Sequence, residues 1–179
     1  MQQGGSQERK LRAGTENVPG VVGLGIATKL AKLQMVERIA HVQGLRDKLI
    51  KGIQERITDI KLNGHAEKRL PGNVNISFFY VEGESLLLNL DMKGIAASSG
   101  SACTSGSLDP SHVLLAMGMT HETAHGSLRF SLGCGNTEAD VDYCLEVLPP
   151  IVAKLRSMSP LSANSKLAAS NPCNECHHH

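Results

Sequence analysis

The sequence predicts an α+β domain, and three observations carry that prediction. Apolar residues recur at helical spacing from Val18 to about Ile57. Two segments, Val74 to Val81 and Leu128 to Leu132, alternate with period two, and Thr137 with Asp140 has the capping-box spacing of a C-terminal helix. The resulting order is helix, strand, helix, short extended segment, loop, helix, strand, helix, ending near Met158.

Taken in order, residues 1–17 are rich in Gly, Gln and Arg and nearly devoid of apolar residues, so they do not begin a self-contained fold. Ile26, Leu30 and Leu33, then Leu45, Leu49, Ile53 and Ile57, predict two consecutive helices or one long bent helix with Gly44 near the junction. Asn63-Gly64 marks a turn, and Val74, Ile76, Phe78 and Tyr80 then alternate with Asn75, Ser77, Phe79 and Val81 as a strand. Gly83 to Met92, with Leu86, Leu87, Leu88 and Leu90, predicts a helix ending before Gly94, followed by a short extended piece from Ile95 to Ala97. Asp109 before Pro110 has the form of a helix start, a carboxylate N-cap with proline at the first helical position, and that helix is expected to end at Gly118. Leu128, Phe130 and Leu132 alternate with Arg129 and Ser131 in a second strand, and Pro149-Pro150 should bend or break the last helix. From Ser159 the composition turns to Ser, Ala and Asn and closes on His177-His178-His179, which reads as a disordered tail with the remnant of a purification tag.

The balance of 18 basic and 17 acidic residues gives a net charge of +1, with both signs interspersed, so no strong field attracts nucleic acid or anionic lipid. No apolar run approaches the ~20 residues that span a bilayer, and the first residues lack a signal peptide's basic and apolar regions. Five cysteines at irregular spacing fit reduced thiols better than a disulfide framework, which points to the cytoplasm.

Four groups of residues bear on chemistry. In Ser98-Ser99-Gly100-Ser101-Ala102-Cys103-Thr104-Ser105-Gly106 a single thiol sits among small residues that cannot build a core. This predicts an exposed loop, hinged at Gly100 and Gly106, presenting a nucleophilic or redox Cys103. No Lys or Arg adjoins it in sequence, so thiolate formation must come from a cofactor, a partner or a tertiary neighbour; His112, the nearest base, reads as an ordinary exposed residue. His121-Glu122-Thr123-Ala124-His125 matches H-E-x-x-H, but Gly118 and Gly126 leave room for only a short helix, a poor context for a zinc hydrolase. Cys173-Asn174-Glu175-Cys176-His177 matches the haem-attachment pattern, although its histidine belongs with the tag, and the Cys173/Cys176 pair reads better as part of a flexible tail. Arg129 points to the face opposite Leu128 and Phe130, where a guanidinium either binds a carboxylate bidentately or serves a structural ion pair.

These residues closely resemble the cysteine desulfurases of the NifS/IscS type, within the class V aminotransferases. The likeness runs through Gly4-Gly5-Ser6-Gln7-Glu8, Arg12-Ala13-Gly14-Thr15-Glu16-Asn17, Arg69-Leu70-Pro71-Gly72-Asn73-Val74-Asn75, Glu82-Gly83-Glu84, the Cys103 loop and Gly126-Ser127-Leu128-Arg129-Phe130-Ser131. The resemblance implies the small C-terminal domain of a fold-type I pyridoxal-phosphate transferase. Residues 1–28 would be the end of the large domain and its linker, 29–158 the small domain with its active-site loop at 98–107, and 159–179 the tail.

It further implies that Cys103 takes sulfur from L-cysteine as a persulfide, leaving L-alanine, and passes it to an iron-sulfur scaffold, in whose complex the same thiol can ligate metal. Arg129 would bind the substrate carboxylate, and Thr15 would reach the phosphate of the other subunit's cofactor in a homodimer. The cofactor's lysine, the aspartate at its pyridine nitrogen and the histidine stacked on its ring precede the Gly4-Gly5 motif in this family, and only Met1-Gln2-Gln3 stands there here. The implied activity therefore needs the large domain, which is mostly absent. The alternative implied by the same absence is a catalytically silent module for dimerisation or scaffold binding.

Overall fold

The computed structural model describes residues 3–99 and 110–159. After a turn of 3₁₀ helix at Glu8–Lys10, the elements are α1 (Val18–Arg56), β1 (Ile60–Leu62), β2 (Asn73–Phe78), α2 (Gly83–Asp91), β3 (Ser98–Ser99), α3 (His112–Ala116), α4 (His121–His125), β4 (Ser127–Ser131) and α5 (Glu138–Met158). The chain divides into two compact units, with the division between Ile39 and Ala40. Among the described residues no helix is long and apolar enough to cross a membrane.

The mixed α and β content expected from the periodicities is present. α1 is continuous, so Gly44 lies inside a helix and marks no junction between two. Its start is capped by Asn17, whose Oδ1 accepts from the Gly20 N–H at 3.0 Å. The Asn63-Gly64 turn forms with Gly64 in the left-handed region at φ +81°. The capping box at α5 forms as its sequence predicts: Thr137 accepts from the Asp140 N–H, and the Asp140 carboxylate accepts from the Thr137 N–H at 2.8 Å.

The second unit holds a four-stranded antiparallel sheet in the order β1-β2-β4-β3. Along β2 and β4 the period of two sends Val74, Ile76, Phe78, Leu128 and Phe130 to one face, where they join a single core cluster. That core is completed by Leu45, Leu49 and Ile53 of α1, Leu86 and Leu90 of α2, and Val141, Leu145, Leu148 and Val152 of α5. Each such side chain contributes roughly 1.5 to 3 kcal/mol by leaving water, so the helices are held to this face by burial rather than by propensity. Gly126 makes a close approach possible: a Cβ there would run into the carbonyl oxygens of Phe78 and Val81. The Phe78 N–H meanwhile donates to the Gly126 carbonyl at 2.8 Å, locking the start of β4 to the end of β2.

Five details depart from the sequence expectation. β2 stops at Phe78, because Tyr80 takes φ +65° in the turn that follows. β1 has no counterpart in the sequence pattern, because three residues with a lysine in the middle carry no usable alternation. Ser98 and Ser99 belong to β3, paired with Arg129 and Leu128, rather than to a loop, since the edge of β4 offers backbone partners that small side chains do not obstruct. α3 begins at His112 behind Ser111, whose φ −54° and ψ 118° are extended, so Pro110 precedes the helix instead of opening it; Asp109 lies outside the described residues.

The fifth departure concerns α5, which runs unbroken through Pro149 and Pro150. Proline at 149 removes the N–H that would reach the Leu145 carbonyl. That carbonyl instead accepts from Nη1 of Arg56 at 2.7 Å, so the helix leaves no buried acceptor stranded there.

Candidate active site

The face of the sheet opposite the core is polar. Asn73 and Asn75 of β2, Arg129 of β4 and Ser98 of β3 fall on it, with Arg129 paired in register to Asn75 on one side and to Ser98 on the other. Arg129 opens into a groove of about 290 Å³. Its polar wall includes Asn63, Asn75 and Ser111, and Leu114 of α3 with Met117 just after it supplies an apolar wall.

The electrostatics of this groove rest on a cation that no described residue neutralises. The half-buried Arg129 guanidinium has neither a hydrogen bond nor an ion pair with any described residue. Other arginines on this side of the fold are committed. Arg46 pairs with Asp47 at 2.7 Å, and Arg69 donates to the carbonyls of His65 at 2.8 Å and Asn63 at 2.9 Å. Burial, reinforced by the neighbouring charge of Arg46, pulls Arg69 below its ordinary value, with Asp47 offsetting part of the effect. A guanidinium whose five donors meet no acceptor among the described residues, beside an apolar wall that thins the water, is arranged to take a planar oxyanion.

Behind it lies a polar network that the alternation of β2 signalled only as an outward strand face. Asn63 is buried, and its Nδ2 donates to Asn75 Oδ1 at 2.6 Å and to Ser77 Oγ at 2.9 Å. Its own Oδ1 is buried with no partner among the described residues.

The other sequence candidates fall elsewhere. Thr15 is exposed in the first unit, next to Gly14 at φ +98°, and its hydroxyl bonds to no described residue. The preceding turn is held by the Gly14 N–H donating to Gln7 Oε1 at 3.2 Å and by Arg12 between Glu8 and Glu16. Cys103, proposed as nucleophile and metal ligand, lies outside the described residues, as do Cys173 and Cys176. His121, Glu122 and His125 occupy a helix of five residues that passes into β4 after Gly126, and all three are exposed. Among the described residues no three His, Cys, Asp or Glu side chains gather as a metal site.

Pyridoxal phosphate is held in proteins by a lysine amine, with an acidic or basic partner at its pyridine nitrogen. Among the described residues the Arg129 groove is lined by neither a lysine nor an acid, so these residues fit a carboxylate and not the attachment of that cofactor.

Comparison with known proteins places the chain in a class. The aminotransferase class-V family model matches residues 2–144, and the chain belongs to that family. Within it, the chain is 60% identical over 160 residues to cysteine desulfurase IscS of Clostridium botulinum, covering 88% of this chain and 40% of that protein. It is 61% identical over 159 residues to cysteine desulfurase IscS of Methanosarcina thermophila, covering 89% of this chain and 39% of the other. A NifS-like protein of solved structure superposes with a TM-score of 0.71 at 36% identity, over 85% of this chain and 38% of that one. The NifS-like protein from Rickettsia africae gives 0.72 at 30% identity, over 84% and 39%. The chain thus spans about 40% of the length of the curated relatives it matches.

Proposed function

We propose that this chain supplies the substrate-binding and sulfur-accepting part of a pyridoxal-phosphate-dependent cysteine desulfurase. The observation that carries the reading is the Arg129 guanidinium at the centre of the polar sheet face, uncommitted among the described residues, in a chain 60% identical to cysteine desulfurase IscS of Clostridium botulinum. Arg129 binds the carboxylate of L-cysteine through its planar fork. The Cys103 thiol takes the substrate's sulfur: an S–S bond forms as the substrate C–S bond breaks, and the carbon leaves as L-alanine with the proton it gains. The two sulfurs are oxidised and one carbon is reduced, so no outside oxidant is required. The described residues lining the groove do not include the cofactor's attachment lysine.

In the same reading Thr15 contacts the cofactor phosphate across a homodimer, and the persulfide passes to an iron-sulfur scaffold, where Cys103 can also ligate the nascent cluster. Residues 1–28 act as the end of a large domain, and 29–158 as the small domain. The exposed Thr15 hydroxyl and the balance of 18 basic and 17 acidic residues, which favours neither nucleic acid nor membrane, support these assignments. The same reading places the protein in a reducing cytoplasm, which five cysteines at irregular spacing support.

The test is a hybrid in which this chain replaces its matching 40% of the Clostridium botulinum desulfurase. The hybrid is expected to form L-alanine and to carry an extra sulfur on Cys103 by mass spectrometry. Cys103→Ala should lose both, and Arg129→Ala should raise KM more than it lowers kcat. A hybrid that binds the cofactor yet forms no alanine rejects the proposal.

A further inference from the structure

Resting on the carboxylate-binding reading of Arg129, we propose that Asn75 is a second residue contacting the substrate carboxylate, with Asn63 as the positioning residue that fixes its orientation. Asn75 and Arg129 are directly paired on β2 and β4, so their side chains leave the sheet on the same face with Cβ atoms ~5 Å apart. Both line the groove.

The orientation of the Asn75 amide follows from what holds its other end. Asn75 Oδ1 accepts from Asn63 Nδ2 at 2.6 Å, which leaves Asn75 Nδ2 as the end available to the groove, and no described residue accepts from it. Asn63 is itself fixed. Its N–H donates to the Asn75 carbonyl at 2.9 Å, its carbonyl accepts from Arg69 Nη2 at 2.9 Å, and its Nδ2 is shared with Ser77 Oγ at 2.9 Å. With both Nδ2 protons turned toward Asn75 and Ser77, the Asn63 Oδ1 is left buried and without a partner among the described residues. A buried amide with a stranded oxygen is unfavourable. The same orientation leaves an N–H of Asn75, which lines the groove with Arg129, without an acceptor among the described residues.

A carboxylate offers two oxygens and about four lone-pair sites, so the fork of Arg129 on one edge leaves an acceptor site for an amide N–H. Among the described residues that line the groove, no acidic side chain competes for these donors. The ligand class is therefore a small α-amino acid held by its carboxylate, with the apolar wall of Leu114 and Met117 beside it.

The experiment is a titration of the ¹⁵N-labelled 179-residue chain with L-alanine, and separately with ethylamine, which lacks the carboxylate. The Asn75 side-chain amide and the Arg129 Nε–H signals should move with L-alanine and stay still with ethylamine. Asn75→Asp keeps an oxygen for Asn63 to donate to but replaces the groove donor by a negative charge; its Kd for L-alanine should rise about tenfold. A purely structural Asn75 would lower the melting temperature and leave that Kd alone. If Arg129 responds while the Asn75 amide does not, and Asn75→Asp binds like the parent, the proposal is overturned and the Arg129 reading stands. If neither signal moves, both fall. Should Asn75→Asp not fold, the Asn75 amide signal in the parent chain decides alone.

Discussion

Cys144 shows how burial at one residue writes a pH dependence into the whole fold. The thiol belongs to the core cluster beside Leu145 and Val141, and burial pushes its pKa up from 9.0 to about 11. The unfolded chain sheds this proton above pH 9 and the folded one only near 11, so between those values the unfolded state binds fewer protons and stability falls as pH rises. The stabilising effect is complete below pH 9 and is lost through 11, amounting to about 2 to 3 kcal/mol. Urea unfolding at pH 8 and pH 11 should therefore show Cys144→Val gaining on the parent by that amount, and an unchanged difference would refute the assignment. The buried setting of Cys144 was legible from its Tyr143 and Leu145 neighbours, as was the direction of Arg129 from the alternation of β4. The partner of Asn75 was not: Asn63 reaches it through β1 and a tertiary register that no local pattern encodes.

Among the elements, α5 is where a strong local signal was overruled. Consecutive prolines argue for a break, and sequence alone cannot show that a guanidinium from α1 arrives at the carbonyl that Pro149 deprives of a donor. By contrast the Thr137/Asp140 cap was readable because both partners lie within four residues. If Arg56 acts as the replacement donor, its removal should cost about 1 to 2 kcal/mol in the parent. In a Pro149→Ala background, where the helix N–H returns, the cost should shrink by about 1 kcal/mol. A double-mutant cycle by urea denaturation measures this coupling directly. Equal losses in both backgrounds would mean that Arg56 stabilises α5 by some route other than the Leu145 carbonyl.

At the scale of the molecule, the long helix has two unlike ends. Toward its C-terminus Val42, Leu45, Leu49 and Ile53 are buried, whereas ten large apolar side chains between Val18 and Ile39 are exposed, among them Leu24 at 69%, Leu33 at 71% and Val36 at 78%. The periodicity of Ile26, Leu30 and Leu33 is indistinguishable from that of Leu45, Leu49 and Ile53, so sequence predicts helix for both and cannot say which one this chain covers. An apolar stretch of that extent on a chain spanning about 40% of its relatives' length is far beyond the scattered surface leucines of a stable monomer. Burying each such side chain is worth roughly 1.5 to 3 kcal/mol, enough for a few contacts to drive association of the free chain. Sedimentation equilibrium should accordingly give a mass that rises with concentration, and Leu24→Gln with Leu33→Gln should lower it. The urea stability of the Ala40–His179 unit should change by no more than about 0.5 kcal/mol in that variant, because neither side chain belongs to its core. A chain that stays monomeric at every concentration, with the double variant indistinguishable from it, would show that this exposed stretch does not drive association.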